Sequence, residues 1–199
     1  MTNVPPPPEP KNCTAVLLAG GQGSRIGGNK PAVIYRGRSL LDWSCQLLEA
    51  IPIARENKFI SVASGSLLAL PLPFNRVEDL APNQGPLGGI YSALEWPSCR
   101  GAEWLLTLPV DMPHLPTDIF ARLCAAYRPG CQIIRAASRE RSFPTVALVA
   151  TSVKSELRAF MTNGGRKLFD FQNQFMTIEA RILSPTESLN INRREDLVG

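Results

Sequence analysis

The sequence predicts a three-layer α/β/α fold around a mostly parallel sheet, and three observations lead there. Short aliphatic runs alternate with stretches of helical periodicity, the pattern of βαβ units. A length of 199 residues suits one domain able to bury about 70% of its unfolded surface. A composition of 44% apolar and 19% charged residues is that of a globular soluble chain and excludes a disordered or fibrous one.

Each element has its own signal. Residues 1–12 (MTNVPPPPEPKN) contain five prolines and little to bury, so they read as a disordered or polyproline leader. Residues 13–199 are then left as a single domain. CTAVLLA (13–19) is a buried strand ended by glycines. Ser39 caps a helix whose Leu40, Leu41, Trp43, Leu47 and Leu48 recur at helical spacing. KFISVAS (58–64) is a second strand, and FNRVED (74–79) a third that ends in Glu78 and Asp79. Residues 86–96 are helical, with Gly88 and Gly89 marking a close approach of backbone or ligand near the start. WLLTLPV (104–110) is an apolar strand that delivers Asp111. Thr117 or Asp118 caps the helix DIFARLCAAYR (118–128), which stops at Pro129-Gly130. CQIIRAAS (131–138) and TVALVA (145–150) read as strands and VKSELRAFM (153–161) as a helix. The tail SLNINRREDL (188–197) reads as a strand end running into a turn of helix. This order makes the sheet Rossmann-like, and its chemistry is expected beyond the carboxyl ends of the strands, near the switch point.

Several function classes are excluded early. The excess of 21 Lys+Arg over 17 Asp+Glu, a formal +4, is too small and dispersed for nucleic acid but suits a small anionic ligand. No run approaches the roughly 18 apolar residues of a membrane span, and no apolar core of a secretory signal follows the N-terminus. The five cysteines are odd in number and form no CxxC pair, which disfavours a disulfide framework or structural zinc and points to a reducing cytoplasm. With a single histidine, any Ser-His or Cys-His mechanism would rest on His114, which reads as an exposed loop residue without a GxSxG partner.

The strongest local feature is LLAGGQGSRIGGNK (17–30), directly after the first strand. Its glycines let backbone N–H groups approach phosphate oxygens, while Arg25 and Lys30 add positive charge. It is not a Walker A loop, because Pro31 stands where Ser or Thr would follow Lys30. It is not GxGxxG either, because Ile26 occupies the third glycine position. Asp111, at a strand terminus, suits a hard Mg²⁺ that arrives with a nucleotide; the local alternative is an Asp that caps the following turn. Asp79 is a second acid near the same rim, able to accept hydrogen bonds from a base or ribose.

With these residues in view, the chain from Thr14 to Leu197 resembles the molybdenum cofactor guanylyltransferases, the MobA family. The blocks that carry the resemblance are LAGGQGSRIGGNK (18–30), VEDLAPNQGPLGGI (77–90), LPVDMPHLP (108–116), FPTVALV (143–149) and LNINRREDL (189–197). The DMP turn combined with a C-terminal NIN is the specific part, since sugar-nucleotide transferases share LAGG with a following Arg. The resemblance implies a nucleotidyltransferase-type sheet and transfer of GMP from GTP to the terminal phosphate of molybdopterin, with Mg²⁺ and release of pyrophosphate. It implies nucleotide contacts at Leu18, Ala19, Gly20 and Gly21, phosphate contacts at Lys30 and Arg25, and Asp79 on the guanine or ribose side. Gly85 and Gly88 would shape the adjoining turn, Asp111 would hold the metal, and Asn190 and Asn192 would lie near the reacting phosphate or the pterin. The implied partners are GTP and molybdopterin, with transient contacts to molybdenum-insertion proteins and target apoenzymes, and neither nucleic acid nor membrane.

Two departures stand out. Asn29 replaces the family's usual Asp, in a loop often one residue longer, and the family's polar position at the end of the second strand is unassigned within residues 62–64. The competing readings are a cytidylyl transferase acting on molybdopterin, a sugar-1-phosphate nucleotidylyltransferase, and a nucleotide-binding module without turnover. The first carries LAAG where this chain has Leu18-Ala19-Gly20-Gly21, and the missing methyl leaves more room for a purine.

Overall fold

β1 (Cys13–Leu18) occupies the centre of the sheet because its side chains from Cys13 to Leu17 are all buried, leaving no solvated face. β4 (Lys58–Val62) pairs parallel on one side of it and β6 (Trp104–Pro109) parallel on the other. Both are buried at every position, as expected of interior parallel strands. β5 (Asn75–Glu78) forms the edge beyond β4. Beyond β6 come β8 (Ser142–Ala150), β7 (Ile133–Ala137) and the edge strand β9 (Thr177–Arg181), giving the seven-stranded order β5-β4-β1-β6-β8-β7-β9. Only β8 runs against its neighbours, so the sheet is mostly parallel. The described residues are 4–20, 29–63, 72–81, 83–96, 99 and 101–197 of this computed structural model.

Strand order fixes the layers. α1 (Leu40–Ala50) lies in the crossover from β1 outward to β4, and α2 (Pro86–Glu95) in the crossover from β5 back past β1 to β6. Right-handed crossovers in opposite directions put their helices on opposite faces. α3 (Ile119–Ala125) packs on β7, α4 (Lys154–Thr162) on α2, and α5 (Leu168–Gln172) on β8. The strand order reverses between β1 and β6, which run parallel, and this makes their carboxyl ends the switch point.

Most elements follow the sequence signals. Ser39 caps α1: its Oγ accepts from Asp42 N at 3.0 Å, and Asp42 Oδ2 accepts from Ser39 N at 3.3 Å. The helix after Asp111 is shorter than its periodicity, ending at Ala125; Asp118 occupies its N-cap position, with the side chain paired to Arg122 Nε at 2.9 Å in place of a backbone N–H. β8 begins at Ser142, three residues earlier than the aliphatic run.

The proline segment is seated on the fold over residues 4–12, contrary to the disorder expected of it. Pro5 and Pro8 are buried, Tyr127 Oη donates to Pro5 O at 3.0 Å, and Trp104 Nε1 donates to Pro6 O at 2.8 Å. A stiff polyproline backbone has free carbonyls and little entropy to lose, so two aromatic donors are enough to hold it. The tail at 188–192 forms no strand; only the helical turn at residues 194–197 appears. Three elements carried no readable signal: α5, β9, and a tight hairpin of β2 (Ile34–Tyr35) and β3 (Arg38–Ser39). The hairpin turns on Arg36 (φ 48°) and Gly37 (φ 78°), both left-handed, as a two-residue turn with the right twist requires. Two-residue strands are too short to show alternation, which is why the pattern missed them.

Candidate active site

The carboxyl ends of β1, β4, β5 and β6 surround a cleft of about 620 Å³, a size typical of small-molecule sites. Leu18 and Gly20 line it from β1, Ser61 and Ala63 from β4, Asp79 from β5, and Pro109, Val110 and Asp111 from β6. Lys30, Thr145 and Asn190 complete one side, and Asn83, Gly85, Pro86 and Gly89 the other.

Lys30 reaches the cleft from a short turn that Asn29 makes possible. Asn29 adopts a left-handed φ of 40°, a conformation Asn tolerates better than most residues. Replacement of the usual Asp therefore leaves the turn intact, and Lys30 is 9% exposed. Its ammonium forms a salt bridge with Asp111 Oδ2 and donates to Asn192 Oδ1 at 2.6 Å. Side-chain exposures of 11% for Lys30 and 17% for Asp111 place this pair at the cleft wall, poorly screened by solvent. The tail is fastened alongside: Ile191 N donates to Asp111 O at 2.8 Å, and Asp196 Oδ2 accepts from Asn192 N and Arg193 N, each at 2.8 Å. Residues 111 and 191 thus meet through tertiary pairing, and Lys30 bridges Asp111 to Asn192, without the strand the sequence pattern predicts.

The two asparagines play different parts. Asn192 is a ligand of Lys30, whereas Asn190 lines the cleft with a buried Oδ1 that has no partner among the described residues. Asp111 Oδ1 is likewise buried and unpartnered. An orphaned carboxylate oxygen and an orphaned amide oxygen on one wall are hard donors of the kind a divalent cation takes. Among the described residues no group of three or more His, Cys, Asp or Glu could hold a metal.

Asp79 faces the other end of the cleft. Its Oδ1 accepts from Ala81 N at 2.9 Å and lies 3.4 Å from Ser92 Oγ, which itself donates to Gly88 O at 2.8 Å. Gly88 allows that approach, since a Cβ there would sit 2.7 Å from Asp79 Oδ1 and 2.5 Å from Ala81 O. Burial pushes the Asp79 carboxyl above the usual range, against the opposing pull of the Ala81 N–H and Ser92 hydroxyl. Two strands separate β5 from β6, so at ordinary spacing Asp79 and Asp111 leave their strands about 14 Å apart.

Not every expected site residue lines the cleft among the described residues. Ala19 is 3% exposed and its N–H donates to Ser61 O at 2.8 Å, so it belongs to the sheet and not the cleft wall. Gly21 and Arg25 lie outside the described residues. Gly85, at φ 57°, lines the cleft at the N-terminus of α2. His114 is half-buried, not exposed: its Nε2 is 2.9 Å from Tyr35 Oη. Sequence reasoning missed Ser61, the polar side chain at the end of β4, because the strand's in–out register was unknown. Ser61 and Ala63 face the cleft while Val62, between them, is wholly buried; Ser64 lies outside the described residues. Gly89 keeps the space beside Ser61 open, since a Cβ there would come within 2.9 Å of Ser61 Oγ.

Known proteins resemble this chain over most of its length. The family described as a MobA-like NTP transferase domain matches residues 15–175. The molybdenum cofactor guanylyltransferase of Pasteurella multocida is 34% identical over 192 residues, covering 92% of this chain and 96% of that one. The enzyme of the same name from Cereibacter sphaeroides is 32% identical over 187 residues, covering 92% of both. Among solved structures, molybdopterin-guanine dinucleotide biosynthesis protein A from Archaeoglobus fulgidus superposes with a TM-score of 0.73 at 21% identity, covering 92% of this chain and 94% of that one, a likeness of fold. A switch-point cleft with a lysine–aspartate pair, in a chain that this family matches over most of its length, identifies the protein as a nucleotidyltransferase of the MobA-like NTP transferase family.

Proposed function

We propose that this enzyme transfers GMP from GTP to the terminal phosphate of molybdopterin, releasing pyrophosphate and forming the guanine dinucleotide of the molybdenum cofactor. The observation that carries the reading is the layout of the cleft. Asp79 stands at one end and the Lys30–Asp111–Asn192 cluster at the other, about 14 Å apart by strand spacing, a span that suits a nucleotide lying across the sheet. Relatives 32% and 34% identical over more than nine-tenths of their length carry the name of that reaction.

The chain's own residues do electrostatic work in this mechanism. Lys30 binds the triphosphate, with Arg25 on the same phosphate chain and the backbone at Leu18, Gly20 and Gly21 close to the nucleotide. Asp111 would hold Mg²⁺, which when bound supplies charge neutralisation at the phosphates. Asn190 and Asn192 orient the acceptor phosphate. That phosphate is largely dianionic near neutrality, so its oxygen attacks the α-phosphorus without a general base. One P–O bond forms to the acceptor, the bond to the bridging oxygen breaks, and pyrophosphate leaves with the electron pair. No thiol competes as nucleophile: all five cysteines are unpaired, and burial pushes Cys13 up to about 12 and Cys99 to about 11. Unpaired thiols also suit a reducing cytoplasm, and no helix among the described residues is long and apolar enough to cross a membrane. Delivery to insertion proteins or apoenzymes would follow by transient contact.

Base choice tests the reading. With Mg²⁺ present, GTP should bind at least about tenfold more tightly than CTP, or about 1.4 kcal/mol, which one or two base contacts supply. A titration panel of GTP, CTP, ATP and UTP measures this, and equal affinities for GTP and CTP remove the guanylyl assignment.

Asp79 makes the binding pH-dependent. A protonated Asp79 accepts less well from a base or ribose, so GTP affinity should fall on acidification, at a pH above that for an ordinary exposed aspartate. Stability runs the other way: a carboxyl whose folded pKa is raised holds its proton better in the native state. Its contribution to stability therefore grows as pH falls through that pKa. Asp79→Asn should flatten both trends, measured as the difference from wild type across the acid range; an unchanged GTP profile takes Asp79 out of the nucleotide site.

A further inference from the structure

Tyr35 and His114 lie outside the cleft wall, yet they join the two segments that carry its ion pair. Tyr35 follows Lys30 by five residues and is 1% exposed; His114 follows Asp111 by three. Tyr35 Oη and His114 Nε2 are 2.9 Å apart, and the rings meet edge to face at 5.5 Å and 86°. Both ends of this link are braced. Trp43 Nε1 donates to Tyr35 O at 3.0 Å, and the left-handed Arg36-Gly37 turn closes the hairpin behind it. Leu115 N donates to Met112 O at 3.3 Å, tightening the loop that presents His114. The Arg36 guanidinium stands 5.3 Å from the Tyr35 ring centroid and, after burial, is the second cause that holds the imidazole below its usual range.

Lys30 and Asp111 grip each other directly. On the functional reading above, on which this inference rests, Lys30 moves to a phosphate and Asp111 to a metal, and that grip is released. Other bonds at the β6 end run to the tail, to β1 and to α1: Ile191 N to Asp111 O, Val110 N to Leu18 O at 3.3 Å, and Ser44 Oγ to Val110 O at 3.2 Å. We propose that Tyr35 and His114 are a positioning pair that keeps the Lys30 turn at its working distance from Asp111 while substrate fills the cleft. Neither touches the reacting atoms. Their loss should therefore leave nucleotide binding intact and misalign the loaded site, where small displacements are costly.

Steady-state kinetics of Tyr35→Phe, His114→Ala and His114→Gln test this. Tyr35→Phe keeps the buried ring and deletes only the hydroxyl, so the fold survives. Tyr35→Phe and His114→Ala should each lower kcat at least about fivefold with the nucleotide KM within about twofold of wild type. His114→Gln, whose amide can replace the imidazole nitrogen, should recover kcat to within about twofold. A wild-type kcat in Tyr35→Phe overturns the proposal, as does a loss in His114→Gln equal to that in His114→Ala. A wild-type enzyme that uses CTP in place of GTP refutes the guanylyl reading alone. The same kcat ratios are then read with CTP, because the triphosphate end is common to both.

Discussion

Asp111→Asn should lower guanylyl transfer at least about a hundredfold, some 2.7 kcal/mol of transition-state stabilisation, while the fold persists. The substitution keeps size and shape and removes only the charge. That charge serves two masters, the Lys30 ammonium and the Mg²⁺ proposed for the loaded enzyme. Some stability will be lost as well, because among the described residues Lys30 is then left with neutral acceptors, Asn192 Oδ1 and the new amide, in place of a carboxylate; a hydrogen bond to a charged group is worth about 1.5–3 kcal/mol. The decisive quantity is therefore turnover per folded molecule, taken alongside a urea melt of the same preparation. GTP binding in EDTA should be retained, since Lys30 remains to meet the phosphates. If Asp111 merely braces its turn, melting falls and turnover per folded molecule stays at wild type, which removes Asp111 from the mechanism.

Lys30→Ala should weaken GTP by about 1.5–3 kcal/mol, roughly ten- to a hundredfold in dissociation constant, the worth of a charge-assisted hydrogen bond. The structure adds a second expectation. Without Lys30 the Asp111 carboxylate, 17% exposed, loses its cation at a wall where Oδ1 is already unpartnered, so the apoprotein should melt earlier. Calorimetric titration with GTP at a temperature where the variant is fully folded separates the two effects. A wild-type dissociation constant there means that Lys30 serves the fold alone.

The linear order of residues is enough to specify the layers and the edge where chemistry gathers. The buried runs around Val16, Ile60 and Leu106 have no polar alternation, so they must lie inside a sheet covered on both faces. The helical stretches between them force parallel pairing. Asp111 and the Lys30 loop were legible because each directly follows such a run, and Asp79 because it ends the edge strand β5; a parallel sheet collects those positions at one edge. Ser39 was legible for a local reason, since a cap needs only its own helix.

What the sequence could not determine were relations between segments far apart in the chain. Asn192 meets Lys30 across 162 positions, and His114 meets Tyr35 across 79. Ser61 faces the cleft while Val62 does not, because in a strand of period two the face is set by its partners. The proline segment, with no core of its own, acquires its place only when Trp104 and Tyr127 present donors to it. Local patterns encode which residues prefer to be buried, whereas the partner each polar group finds is decided when the chain closes on itself, because an unpaired buried donor or acceptor is costly and is satisfied by whatever the fold brings within reach.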